Sequence, residues 1–133
     1  MGKKERFAGT CNSEVRPEGI HFNRIPAVVQ DVTDGRILMV AYVNELALRT
    51  TFEKGMATFW STSRDELWTK GETSGDFLKI VGIFTDCDQD ALIYQVEPQG
   101  GGACHTKDPE TGKTRETCFY RKVNLGDKSL QMV

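Results

Sequence analysis

Ala27-Val28-Val29-Gln30-Asp31, the pair Asp34-Gly35, and Arg36-Ile37-Leu38-Met39-Val40-Ala41-Tyr42 decide how this chain folds. Two apolar runs rich in β-branched residues flank a dipeptide whose glycine readily takes positive φ. That pattern predicts a β-hairpin buried on at least one face. Directly after it stands Asn44, whose side-chain oxygen can accept from the free amides of a helix's first turn. Leu46, Ala47, Thr50 and Thr51 fall at helical spacing, Lys54 sits in the last turn, and Gly55 suits the C′ position. A helix of about three turns is therefore expected over 44–54.

Working outward, 57–61 reads as a strand, as do the apolar, β-branched stretches 77–84 and 91–96, the last ending at Pro98. Residues 61–75 form a polar segment with hydroxyls, Arg64, Lys70, Trp68 and two glycines. Gly100-Gly101-Gly102 must be a loop, and 106–117, with Pro109 and Gly112, reads as an exposed excursion. Residues 118–123 predict a final short strand, and the tail from Asn124 is weakly patterned. No repeat or linker divides the chain. The expected fold is α+β: a strand-dominated single domain with one main helix, over 25–133. Before it, 1–24 carries charges, glycines and Pro17 and is expected to be a flexible N-terminal arm, in which Cys11 and His21 have no role.

With 133 residues, 38% hydrophobic and 27% charged, the chain suits one domain with a real core. A net charge of −2 offers no electrostatic case for nucleic acid or an anionic membrane. No apolar run approaches the ~20 residues of a membrane span. The basic start, Met1-Gly2-Lys3-Lys4-Glu5-Arg6, is not followed by an apolar region, so no signal peptide is expected and the cytoplasm is the default compartment. There, cysteines serve as thiols or metal ligands more often than as disulfides.

Metal-binding side chains are concentrated over 85–119. In an extended segment Asp86, Asp88 and Asp90 would share one face and Cys87 the other. Three close carboxylates suit a hard divalent cation such as Mg²⁺, or are simply a solvated acidic turn. Cys87, Cys104 and Cys118 suggest zinc with an open fourth position, or are scattered buried thiols. His105, beside Cys104, could be a ligand, a structural histidine or a proton-transfer group, the role to which its residue type is best suited. Arg64, Lys70 and the hydroxyls and glycine amides of 61–75 could hold a phosphate, and Trp60 and Trp68 could stack on a base or serve the core. Asp86, Asp88, Asp90 and Glu97 imitate a calcium loop, but Ala91 replaces its turn glycine and the flanks are β-like.

The chain resembles the phosphoribosyl-AMP cyclohydrolases of histidine biosynthesis over about 25–123. The marks are Ile-Pro-Ala-Val-Val-Gln-Asp (25–31), Leu-Met-Val-Ala-Tyr-Val-Asn (38–44), Phe-Trp-Ser-Thr-Ser-Arg (59–64), Leu-Trp-Thr-Lys-Gly-Glu-Thr-Ser-Gly (67–75), Asp-Cys-Asp-Gln-Asp-Ala-Leu (86–92), Ala-Cys-His-Thr (103–106) and Cys-Phe-Tyr-Arg (118–121). The resemblance implies a hydrolase that opens a purine ring between N1 and C6, with active sites at a homodimer interface. It implies Mg²⁺ on Asp86, Asp88 and Asp90, and Zn²⁺ on Cys87 of one subunit with Cys104 and Cys118 of the other. His105 would move protons while zinc-activated water attacks, and Arg64, Lys70, Thr73 and Ser74 would contact the substrate. Two departures stand out. The link over 107–117 is longer than the family's Gly-x-x-Ser, with Thr117 in place of the serine, and Thr62 stands where the family has an arginine. Some members are fused to a phosphoribosyl-ATP pyrophosphatase domain, which is not expected here. The competing expectation is a non-catalytic dimeric domain binding zinc and calcium.

Overall fold

A computed structural model describes residues 24–133. The expectations for the arm, including Cys11 and His21, lie outside the described residues. The elements in order are β1 (Ile25–Asp31), β2 (Ile37–Val43), α1 (Glu45–Lys54), β3 (Thr58–Ser61), β4 (Glu66–Thr69), β5 (Leu78–Thr85), β6 (Leu92–Pro98), β7 (Arg121–Val123) and β8 (Leu130–Met132).

The predicted hairpin is the first half of a four-stranded sheet ordered β2-β1-β6-β5. Gly35 takes φ +77°, and the Asp31 carbonyl accepts from its N–H at 2.9 Å. β1 then pairs antiparallel with β2 and parallel with β6, which pairs antiparallel with β5. Along β1 burial alternates, with Ile25, Ala27 and Val29 turned into the core. Leu38, Val43, Leu78, Leu92, Tyr94 and Val96 meet them there. Each such aliphatic side chain is worth about 1.5–3 kcal/mol on full burial.

The helix forms where its caps predict. Asn44 Oδ1 accepts from the Ala47 N–H at 2.8 Å, and Gly55, at φ +71°, donates its N–H to the Thr51 carbonyl at 2.8 Å. Its buried residues are Ala47, Leu48 and Thr51. The Thr51 hydroxyl accepts from the Thr58 N–H at 3.1 Å, which ties α1 to β3. Phe59 on β3 is fully buried, its ring 4.9 Å from Trp68 and 5.8 Å from Tyr94.

Three sequence expectations need correction. The polar segment contains a strand, β4, paired antiparallel with β3 in the register Phe59↔Trp68, because Leu67 and Trp68 pack against the core. The last strand is shorter than 118–123, and the tail forms its partner β8; all six residues of that hairpin are exposed, so no burial pattern marks them. Residues 86–90 are not extended but turn between β5 and β6. Strand alternation therefore does not arrange the three aspartates.

Candidate active site

The site is built where the end of β4, the loop after it and the segment 101–118 converge. Asp76 Oδ1 accepts from the Gly101 N–H at 2.7 Å, joining the first loop to the glycine cluster. Gly102 lies so close to the chain at Arg115 that a Cβ would meet the Arg115 carbonyl carbon at 2.8 Å. Past it, Ala103 N–H donates to the Glu116 carbonyl and Cys104 N–H to the Arg115 carbonyl, both at 3.1 Å. Cys118 N–H donates to the Leu38 carbonyl of β2 at 2.7 Å, and the Thr117 hydroxyl to the Ile37 carbonyl at 2.7 Å. The longer link thus leaves Cys118 against Cys104, and Thr117 anchors the chain through its hydroxyl.

These elements enclose a cleft of about 740 Å³. Arg64, Lys70, Thr73 and Ser74 line it together with Cys104, His105 and Cys118. Cys104 is buried, and its sulfur lies 2.9 Å from the Thr106 hydroxyl and accepts from the Thr106 N–H at 3.4 Å. Burial alone would push the Cys104 thiol up, but hydrogen bonds from Thr106 and Cys118 and the charge of Arg115 hold it below its ordinary value. Burial, followed by the charge and hydrogen bond of Cys104, pushes the Cys118 thiol up to about 11, against the pull of Lys70. The pair therefore shares one negative charge, and a soft divalent cation would let both sulfurs ionise. As a donor set the two thiols fit zinc but supply only part of its coordination.

Asp86, Asp88 and Asp90 are gathered elsewhere, at the turn from β5 to β6, with one oxygen from each within 4.8 Å of the others. Among the described residues this is the one group of three or more metal-ligating side chains. Asp86 Oδ1 caps the turn, accepting from the N–H groups of Asp90 at 3.0 Å and Ala91 at 3.2 Å, while Gln89 takes φ +59°. Desolvation pushes Asp86 up, but hydrogen bonds from Asp90, Asp88 and the amides outweigh it and lower its pKa. Hydrogen bonding with Asp88 and Asp86, then desolvation and their charges, pushes Asp90 up to about 6. Without a cation the three carboxylates hold a proton between them, and a hard divalent cation fits the set. The flanking elements are the antiparallel strands β5 and β6 rather than helices, which excludes the calcium-loop imitation.

Cys87 sits exposed on this same turn and does not line the cleft. One chain thus brings Cys104, Cys118, His105 and the substrate candidates together, but not Cys87 or the aspartates. Sequence reasoning missed Thr106 and Asp76, which position the cleft. Thr106 had a signal, a hydroxyl two residues beyond a cysteine; Asp76, bonded across 25 residues, had none.

Comparison with known proteins agrees with this site. The sequence model of the family Phosphoribosyl-AMP cyclohydrolase matches residues 39–120. A phosphoribosyl-AMP cyclohydrolase of Cellvibrio japonicus (strain Ueda107) is 48% identical over 103 residues, covering 77% of this chain and 76% of its own. One of Brucella anthropi is 52% identical over 109 residues, covering 80% and 72%. One of Hyphomonas neptunium is 46% identical over 113 residues, covering 85% and 80%.

Proposed function

The chain belongs to the phosphoribosyl-AMP cyclohydrolases, hydrolases of histidine biosynthesis, and from that premise we propose that it opens the N1–C6 bond of its substrate's purine with the help of two metals. Zinc would be held by Cys104 and Cys118 with Cys87 of a second copy, and Mg²⁺ by Asp86, Asp88 and Asp90. The observation that carries this reading is the adjacency of Cys104 and Cys118, which share one charge in a cleft lined by phosphate-binding candidates, while Cys87 stands on another turn. The non-catalytic alternative gives way to the enzymatic family.

Zinc, when bound, supplies an acidified water near neutral pH. The chain's own residues supply the rest. Arg64, Lys70, Thr73 and Ser74 orient the phosphorylated substrate along the cleft. His105, exposed on the same wall, takes a proton as water adds at C6 and returns one to N1 as the ring opens. The aspartate turn would bring Mg²⁺ to the substrate's charges.

A homodimer is supported by the open face of the sheet. Val40, Val28, Ile93 and Phe84 are register partners across all four strands, so an apolar row crosses the sheet. Val40, Ile93 and Phe84 on it, and Tyr42 nearby on β2, are exposed. Such a patch on one face marks an interaction surface, and the strand bearing Phe84 leads directly into the aspartate turn. No helix among the described residues is long and apolar enough to cross a membrane. The proposed compartment is the cytoplasm, in keeping with three free thiols.

The test is incubation of the purified, metal-loaded protein with phosphoribosyl-AMP, following loss of the purine chromophore. Turnover is expected in wild type. Cys104→Ala should lose zinc and reduce turnover by more than about a hundredfold, beyond the usual cost of an outer-shell partner. A variant that keeps both would refute the ligand assignment, and an inactive wild type would refute the catalytic reading.

A further inference from the structure

The long segment over 107–117 is folded on itself. Lys107 and Thr114 form an antiparallel bridge. Asp108 N–H donates to the Lys113 carbonyl at 2.9 Å, Gly112 N–H to the Asp108 carbonyl at 2.7 Å, and Arg115 N–H to the Thr106 carbonyl at 3.0 Å. Gly112, at φ +72°, closes the tip. This small hairpin walls a second cavity, of about 560 Å³, beside the cleft. Lys107 and Thr114 line both.

The cavity carries unneutralised positive charge. Lys107, Lys113 and Arg115 line it, and among the described residues none of them forms an ion pair. Arg36, also on its wall, is engaged by Glu116 at 2.9 Å and Asp34 at 3.7 Å. That occupies Glu116, while Asp108 accepts from the Glu110 N–H at 2.9 Å. Arg115 is held in place, its guanidinium 3.9 Å from the centre of the Tyr120 ring and its Nε buried without a hydrogen-bond partner. A desolvated cation left unpaired costs free energy that an arriving anion would repay.

We propose that this cavity is the subsite for one of the two phosphate groups of phosphoribosyl-AMP, with Lys107, Lys113 and Arg115 as its cations. The inference rests on the reading of the adjoining cleft as the substrate site. A purine with a phosphorylated ribose on each side requires two separated anion sites, and two cavities with a shared wall can take one such molecule. Arg64 and Lys70, in the cleft, serve the other phosphate. Thr62 removes a cation that the family places before Arg64, and the hairpin adds cations on the other side of the shared wall.

Lys107 and Lys113 are exposed, so replacing them leaves the core untouched. The Lys107→Ala, Lys113→Ala double variant, assayed metal-loaded against phosphoribosyl-AMP, should raise KM by about tenfold or more, as expected for lost bonds to a charged group. Its kcat should stay within about twofold, because the contact is made equally in ground and transition states. The Lys107→Arg, Lys113→Arg variant should restore KM. An unchanged KM, a fall in kcat alone, or a rise in KM that arginine does not repair would overturn the subsite while the wild type still turns over. A wild type without turnover would overturn the catalytic reading and the subsite with it.

Discussion

Tyr94 shows how one residue ties the core to pH. It is fully buried on β6 beside Phe59, and its hydroxyl donates to the Thr51 hydroxyl oxygen at 3.4 Å. Burial pushes its phenol from 10.0 up to about 12, against a smaller effect of Thr51 in the other direction. Between those two values the unfolded chain has released this proton and the folded chain has not. Its contribution is therefore intact below pH 10 and is lost as pH rises towards 12. At about 1.4 kcal/mol per unit, the loss should reach roughly 2–3 kcal/mol. Urea denaturation at pH 9 and pH 11.5 should show wild type losing more stability than Tyr94→Phe by most of this amount. Equal losses would show that the Tyr94 phenol is not responsible. The sequence marked 91–96 as an apolar strand, and hence Tyr94 as a core candidate; it had no mark for the partner Thr51, 43 residues away.

Among the elements, those with strong local signals were legible. The β1–β2 hairpin and α1 lie where the turn glycine, the Asn44 cap and Gly55 predict, because each signal concerns a few consecutive residues. β4 and β8 were not legible. β4 holds only four residues in a polar segment, and exists because β3 offers it an edge. The pairing of 103–104 with 115–116 was equally hidden, and it is what carries Cys104 to Cys118. Gly102 permits that pairing. In Gly102→Ala the new methyl would meet the Arg115 carbonyl carbon at 2.8 Å and the Glu116 Cα at 3.0 Å, both backbone atoms that cannot simply rotate away. The substitution should destabilise the protein by about 1–3 kcal/mol in chemical denaturation, the usual cost of overpacking. Gly101→Ala, whose nearest neighbour is the Asp76 carboxylate oxygen at 3.7 Å, should change stability by less than about 0.5 kcal/mol. Similar losses in the two variants would refute the close approach as the cause.

At the scale of the whole molecule, one chain separates Cys87 and the aspartate turn from the cleft that holds Cys104, Cys118 and His105. The proposed sharing of zinc between two copies makes this testable. Cys87→Ala and Cys118→Ala should each be inactive alone. Mixed under conditions that exchange subunits, they should regain about a quarter of wild-type activity, since half the dimers are mixed and each mixed dimer has one intact site. No recovery in confirmed mixed dimers would refute a shared site. The sequence by itself determined the fold class, the first hairpin, the helix and the family, because turn dihedrals, capping amides and the order of motifs are properties of short stretches of chain. It also named the chemistry-bearing residues, since ligating capacity belongs to the side chain. Only the tertiary structure decided which of them meet. The aspartates meet through a tight turn and not through strand alternation, and Cys104 meets Cys118 across a hairpin that the family pattern lacks. Such meetings are set by strand register and by backbone contacts between residues far apart in sequence, where a local pattern carries no signal.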